Sequence, residues 1–342
     1  MNLQKAGHAP HIVIAGAGSI GCFTGGLLAA ANHNVTLLAR PRIISDIRTH
    51  GLTLSDFYGL LKRVAPDDLT LTPDPECLRD ADLILVTVKT GASAEMAQLI
   101  ASHAPATTPV ISLQNGLEAV QTLRAGLPDH PVRAAMVPFN VVPRGPGEYH
   151  RASSGDIMLE TGAGGLGSLL SAPGLRVPET PDITAYQWGK VLVNLANALN
   201  ALSGLTLQDM LMSRDWRRLM ADQMAEAVRV LRAAGIATKS TTPLPMAMIP
   251  HVLRLPTPLF ARIAAQMLTI DPSARTSMAY DLDAGRGTEI DSLQGVIIAL
   301  GQTYNVVTPI CTRVAQAVRD AAKNGPGSPR LTPAQLHSGA SP

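Results

Sequence analysis

Short apolar, β-branched runs alternate with longer stretches of helical character from His11 to about Gly155. That is the texture of a parallel sheet with crossover helices. The runs predict strands at His11–Ala15, Asn34–Ala39, Leu83–Val88, Val110–Leu113 and Val132–Val137. Between the first two, the Ala- and Leu-rich stretch Ile20–Ala31 predicts a helix packed on the sheet. After Pro181 strand-like runs stop and apolar residues recur every three or four positions, so the rest of the chain reads as helical. Trp216, Leu219, Met220, Met224, Val228 and Leu231 form one such stripe, with Ser213 placed to cap its start and Gly235 to end it. Burial of one helix face accounts for that stripe without any cofactor. Residues Lys239 to Pro258 are crowded with proline and predict a loop with short helical turns, and the Pro-, Gly- and Ser-rich tail from Pro326 predicts a mobile end.

A chain of 342 residues, 46% hydrophobic and 16% charged, has the apolar surface for two domains and is not disordered by composition. With 28 basic against 26 acidic residues the net charge is only +2, and aromatic residues make up 3%; both argue against a nucleic-acid partner. Apolar runs fall well short of the ~20 residues of a membrane span, and the first ten residues lack the apolar core of a signal peptide. A cytoplasmic protein with no membrane partner is the expectation. Cys22, Cys77 and Cys311 are odd in number and widely spaced, which fits reduced thiols, and no His and carboxylate spacing suggests a metal.

The glycines of Gly16-Ala17-Gly18-Ser19-Ile20-Gly21 follow the first strand and precede the first helix, the order a GxGxxG dinucleotide loop requires. The first glycine makes the tight turn, the second admits the pyrophosphate, and the third lets helix and strand approach. A glycine turn that serves packing alone is the alternative. Nineteen positions after Gly21, where an acidic residue would hold the ribose of NAD, stands Arg40, with Arg42 close by. A guanidinium suits the 2'-phosphate of NADP, so NADPH/NADP is the expected cofactor, against a solvated surface pair. The expected division is an α/β, Rossmann-type NADP-binding domain over residues 1–180, an all-α domain over 181–325 and a flexible tail over 326–342.

The Gly16–Gly21 loop, the strand ending in Val86–Lys89, the Gln114-Asn115-Gly116 tripeptide, the Trp188-Gly189-Lys190 segment and the Arg286–Asp291 stretch together resemble ketopantoate reductase over residues 11 to 322. The most specific part is Trp-Gly-Lys followed by Ser277 and Glu289, twelve positions apart. The resemblance implies an N-terminal Rossmann-type domain and an all-α C-terminal domain like that of 6-phosphogluconate dehydrogenase. It implies NADPH-dependent reduction of 2-dehydropantoate to pantoate. Lys190 would then be the catalytic proton donor, Asn194 would hold the substrate, and Ser277 would bind its carboxylate. Lys89, Asn115 and Glu289 would position the cofactor, with Asn115 also near the reacting centre. The family usually has a second Asn eight positions after its Lys, followed by Pro; here Ala198 and Leu199 stand there. Another branched 2-oxo acid is therefore an alternative substrate, and Ser93 is a further departure, where the family often has Gln or another polar residue.

Helix geometry gives a separate reading of the same residues. Lys190 and Asn194 are four apart, and Asn197 falls only about 20° from the line of Lys190, so the three make one polar stripe on an otherwise apolar helix. A small 2-oxo acid partner would satisfy those groups, and partial burial would bring the lysine towards neutrality, where general acids work. The alternative pairs Lys190 with a carboxylate and lets the Asn side chains cap backbone groups. A non-catalytic NADP(H)-binding sensor would keep the first domain's features without needing the stripe. Asp281 and Asp283 read as a solvated helix or turn, and His150 as a surface residue. The apolar helices are compatible with a homodimer.

Overall fold

The computed structural model describes residues 9–240, 244–265 and 271–338. The expected Pro-rich loop therefore falls partly, at 241–243, and the expected tail partly, at 339–342, outside the described residues. Two compact units divide the chain, one ending at Ile183 and one beginning at Thr184.

The first unit contains strands β1 His11–Ala15, β2 Asn34–Leu38, β3 Leu52–Asp56, β4 Leu61–Val64, β5 Thr70–Thr72 and β6 Leu83–Val86. It continues with β7 Val110–Ser112, β8 Val132–Met136, β9 Val141–Gly145, β10 Glu148–Arg151, β11 Met158–Glu160 and β12 Glu179–Thr180. Its helices are α1 Ser19–Ala29, α2 Pro41–His50, α3 Ser93–His103, α4 Glu118–Gly126 and α5 Leu166–Leu170. One eight-stranded sheet runs β12-β11-β8-β7-β6-β1-β2-β5, and its β5-β2-β1-β6-β7-β8 portion is parallel throughout. The strand order reverses beside β1, which places the β1–α1 loop at the switch point where α/β sheets bind ligands. Ile12 and Ile14 face one apolar cluster while Val13 and Ala15 face another, so the sheet is buried on both sides as a doubly wound fold demands.

A second, four-stranded sheet, β4-β3-β10-β9, lies beyond the sequence expectation. Its strand β3 alternates buried and more exposed residues (Leu52 and Leu54 in, Thr53 and Ser55 partly out), and β4 and β9 are largely exposed, so none shows the continuous apolar runs that mark the parallel strands. The helix α1 is glycine-rich where it meets this sheet: a Cβ on Gly26 would lie 2.6 Å from Leu52 Cδ2.

The second unit is all-helical among its described residues. It comprises α6 Ile183–Asn194, α7 Ala196–Ser203, α8 Leu207–Met212, α9 Arg214–Ala233, α10 Ile249–Leu253 and α11 Thr257–Ile263. After these come α12 Ser277–Asp283, a π-helical turn at Asp291–Gly295, α13 Val296–Thr303, α14 Pro309–Lys323 and α15 Pro333–Ser338. On α9, Trp216, Leu219, Met224 and Leu231 are buried as the periodicity predicts. Ser213 is the N-cap residue, although its side chain makes no capping bond, and Gly235 ends the helix at φ +67°. The tail expectation needs correction through residue 338. Leu331 N–H donates to the Leu202 carbonyl (2.9 Å), Arg313 Nε donates to the Leu336 carbonyl (3.1 Å), and Leu336 is buried in the core. A single well-placed leucine behind Pro and Gly residues docks a segment that composition alone marks as mobile. Among the described residues no helix is long and apolar enough to cross a membrane.

Candidate active site

The β1–α1 loop has the shape a dinucleotide needs. Gly16 sits at φ +84°, and a Cβ there would lie 2.1 Å from Val88 Cγ1. Gly21 has no more room, since its Cβ would meet Thr87 Oγ1 at 2.5 Å and Ile14 Cγ2 at 2.9 Å. Gly18 differs: a Cβ would find nothing nearer than the Gly16 carbonyl at 4.0 Å, so protein packing leaves that side of the loop open. Two glycines are thus fixed by packing, and the middle one by none of it. The amides of Gly16 and Ala17 donate to the Leu38 carbonyl, while Ser19, Ile20 and Gly21 open α1, where first-turn N–H groups lack intrahelical partners and the helix dipole favours an anion. Arg40 is exposed and is the N-cap residue of α2, two positions beyond the last residue of β2. Arg42 instead lies 3.7 Å from Asp46.

Two further loops are tied together by Gln114. Its Nε2 donates to the Val88 carbonyl (3.0 Å) and to Ser93 Oγ (2.8 Å), and its Oε1 accepts from Ser112 (3.0 Å). Thr90 Oγ1 adds a bond to the Asn115 carbonyl (3.2 Å). The segments bearing Lys89 and Asn115 are therefore locked side by side at the ends of β6 and β7. Ser93 is buried in this network, which gives the departure at that position a structural role.

In the helical unit, Lys190 is half-buried on α6. Burial lowers its ammonium to about 8, and the opposing pull of Glu289, its charged neighbour, keeps it from falling further. Asn194 and Asn197 are half-buried, and among the described residues neither side chain has a hydrogen-bond partner. Backbone capping, the alternative for these amides, is not what the structure shows. Gly189 has its own cause. The segment after α9 crosses α6 so closely that a Cβ on Gly189 would lie 1.9 Å from the Lys239 carbonyl oxygen. Lys239 N–H also donates to the Ala185 carbonyl (2.9 Å).

Ser277 is exposed at the first turn of α12. Its neighbour Thr276 fixes it to α7, through Thr276 Oγ1 donating to the Asn197 carbonyl (3.2 Å) and Asn200 Oδ1 accepting from Thr276 N–H (3.0 Å). The lysine, both asparagines, Ser277 and Glu289 thus belong to one network of helical segments. Gly16 to Gly21, Arg40, Lys89 and Asn115 belong to the first unit.

The family profile described as ketopantoate reductase PanE/ApbA matches residues 12–164, and that of its C-terminal domain matches residues 182–322. The chain belongs to the ketopantoate reductase family. A 2-dehydropantoate 2-reductase of Halobacterium salinarum is 26% identical over 92% of this chain and 99% of its own. A PanE/ApbA family ketopantoate reductase from Ralstonia eutropha JMP134 has a similar structure, with TM-score 0.77 and 30% identity over 92% of this chain and 99% of that one. A D-mandelate dehydrogenase solved with NADH and anilino(oxo)acetate shares the fold at TM-score 0.74, with 22% identity over 92% and 99% of the two chains.

Within this ketopantoate reductase family member, Ala198 and Leu199, the positions where the resemblance implies a second Asn and a Pro, are both fully buried in the core of the helical unit. Neither offers a polar group to a ligand. Asn197, one position earlier, is the residue left half-exposed. His150, expected at the surface, is instead buried on β10 with its Nδ1 2.9 Å from Ser55 Oγ, because β10 is an interior strand of the unforeseen second sheet. Asp281 bonds Arg286 Nε (2.8 Å) and Asp283 pairs with Arg275, so each carboxylate is committed to an arginine. Sequence reasoning missed Asn200 and Gln294, both fully buried amides in this helical network. Asn200 repeats at three residues from Asn197, and that spacing was the available signal.

Proposed function

We propose that this protein is an NADPH-dependent reductase of a 2-oxo acid, with 2-dehydropantoate as first candidate and pantoate as its product. The observation that supports it best is a half-buried lysine brought to about 8 beside Glu289, on a helix whose neighbouring Asn194 and Asn197 amides are unpartnered among the described residues. Such groups are costly unless a ligand satisfies them.

Gly16 to Gly21 would take the pyrophosphate, with the open side of Gly18 admitting it and the first amides of α1 facing its charge. Arg40 would hold the 2'-phosphate, being exposed and, among the described residues, without a carboxylate partner. Lys89, Asn115 and Glu289 would position the cofactor. When bound, the reduced nicotinamide supplies the hydride. Lys190 Nζ delivers the proton that the ketone oxygen takes up, and near-neutral acidity suits it to release that proton at physiological pH. Asn194 and Asn197 orient the 2-oxo acid, and the Ser277 hydroxyl binds its carboxylate.

A second reading keeps the chemistry and changes the acid. Ala198 and Leu199 remove the polar group usual to the family, and a structural neighbour is described with an aryl oxoacetate, anilino(oxo)acetate. NADPH oxidation measured with 2-dehydropantoate and a panel of other branched and aryl 2-oxo acids separates the two. Turnover with none of them contradicts both.

A further inference from the structure

Two irregularities of helix geometry lie beside Lys190 and Glu289. The helical run α6–α7 is interrupted at Leu195, one residue past Asn194, although Leu195 itself stays helical (φ −55°, ψ −29°). One residue past Ile290, which follows Glu289, the chain makes the π turn Asp291–Gly295 before continuing as α13. A π turn holds one residue more than an α turn, so the helix start at Ile290, with the bend residue Glu289 just before it, faces a direction roughly 100° from the one a regular α turn would give. The direction of Glu289 therefore depends on the π turn.

One hydrogen bond joins the two irregularities. Gln294, within the π turn, donates from Nε2 to the Leu195 carbonyl at 2.9 Å. The side chain is fully buried, and its Oε1 has no partner among the described residues. A half-satisfied buried amide is unfavourable, and an apolar residue of the same length would fill the space without that cost. Packing does not explain this glutamine; insertion at a helix break does.

We propose that Gln294 is a positioning residue, whose amide ties the π turn to the break at Leu195 and so keeps the Glu289 carboxylate within electrostatic reach of Lys190. The inference rests on the reading of Lys190 as the proton donor. Without Gln294 the π turn is free to relax towards α geometry, Glu289 swings away, and Lys190 loses the neighbour that favours its charged form.

The test uses the full chain and the pH dependence of Lys190 acetylation by acetic anhydride, followed by peptide mass spectrometry. In Gln294→Met the labelling midpoint is expected to fall by roughly half a pH unit or more, the direction set by losing a nearby opposite charge. Glu289→Gln should give a similar fall, and the double variant should fall no further, because both changes remove one interaction. Gln294→Asn, whose shorter amide cannot reach Leu195, serves the same comparison should the Met variant fold poorly. A wild-type midpoint in the Gln294 variants, with only a lowered melting temperature, overturns the assignment. So does a double variant that falls beyond Glu289→Gln alone. The labelling needs neither cofactor nor substrate, so its failure is distinct from failure of the reductase reading, which would show as absent turnover in the wild type.

Discussion

Asn200 Oδ1 accepts a hydrogen bond from the main-chain N–H of Thr276 at 3.0 Å, and through it the buried middle of α7 fixes the start of the helix that presents Ser277. The Asn200 Nδ2 is also used, donating to the Leu205 carbonyl at 2.9 Å. Among the described residues Ser277 makes no such anchor itself; its place is set by the residue before it.

Thr276→Val therefore tests substrate placement. The variant loses both the bond to the Asn197 carbonyl and the cap on Ala279 N–H, at a cost of about 1–2 kcal/mol. We expect KM for the 2-oxo acid to rise several-fold with a smaller change in kcat, and Thr276→Ser to restore both. An unchanged KM in steady-state kinetics would separate Ser277 from the substrate carboxylate.

Gly189→Ala tests the packing of α6. An added Cβ would lie 1.9 Å from a backbone oxygen, which no side-chain rotation relieves. Destabilisation of about 3 kcal/mol, read from urea unfolding, is expected. A change under about 0.5 kcal/mol, the range of ordinary surface substitutions, would show that the Lys239 segment yields.

Arg217→Met tests the core of the helical unit. This guanidinium is fully buried and, among the described residues, has no carboxylate among its bonds: it donates to the carbonyls of Leu211, Met212, Leu253 and Leu255 and to Thr257 Oγ1, and it lies over the Phe260 ring at 4.3 Å. Its loss strands several buried carbonyls and should cost about 3–5 kcal/mol in a denaturant titration. Lysine cannot supply five N–H groups in a fork, so Arg217→Lys should recover little of it.

The sequence made the central sheet and α9 legible because their burial writes a period into the chain, and it made the glycine loop legible because only glycine fits Gly16. The second sheet was not legible, since strands such as Leu52–Asp56 alternate and β9 contains Pro143. Lys190, Asn194 and Asn197 stood out as polar residues on an apolar helix. Arg217, Asn200 and Gln294 did not, because what makes them informative is complete burial against carbonyls distant in sequence. The docking of the tail by Leu336 was hidden for the same reason.

The acidity of Lys190 sets opposite pH trends for activity and stability. Turnover should fall as pH rises through about 8, where the ammonium is lost. An unfolded lysine titrates near ~10.4, so the unfolded chain binds more protons between the two values and stability rises with pH across that window. The penalty is fully present below about 8, and Lys190→Met should accordingly raise stability at pH 7 by about 1–3 kcal/mol. Calorimetry at pH 7 and pH 10 checks this: a gain that does not shrink at the higher pH would contradict it.

Arg40→Ala should weaken NADPH binding about tenfold or more while leaving NADH binding nearly unchanged, by analogy with loss of a charge-assisted hydrogen bond. Fluorescence titration with both cofactors reads the difference, and equal losses would remove Arg40 from the 2'-phosphate.

The central claim is that the Lys190 ammonium supplies the proton to the ketone. Single-turnover oxidation of bound NADPH by the best 2-oxo acid, compared between the wild type and Lys190→Ala, tests it most directly. The account predicts a loss of about 100-fold or more in the variant, with cofactor binding preserved and the fold still melting in a cooperative transition. A variant that oxidises NADPH at the wild-type rate would contradict it.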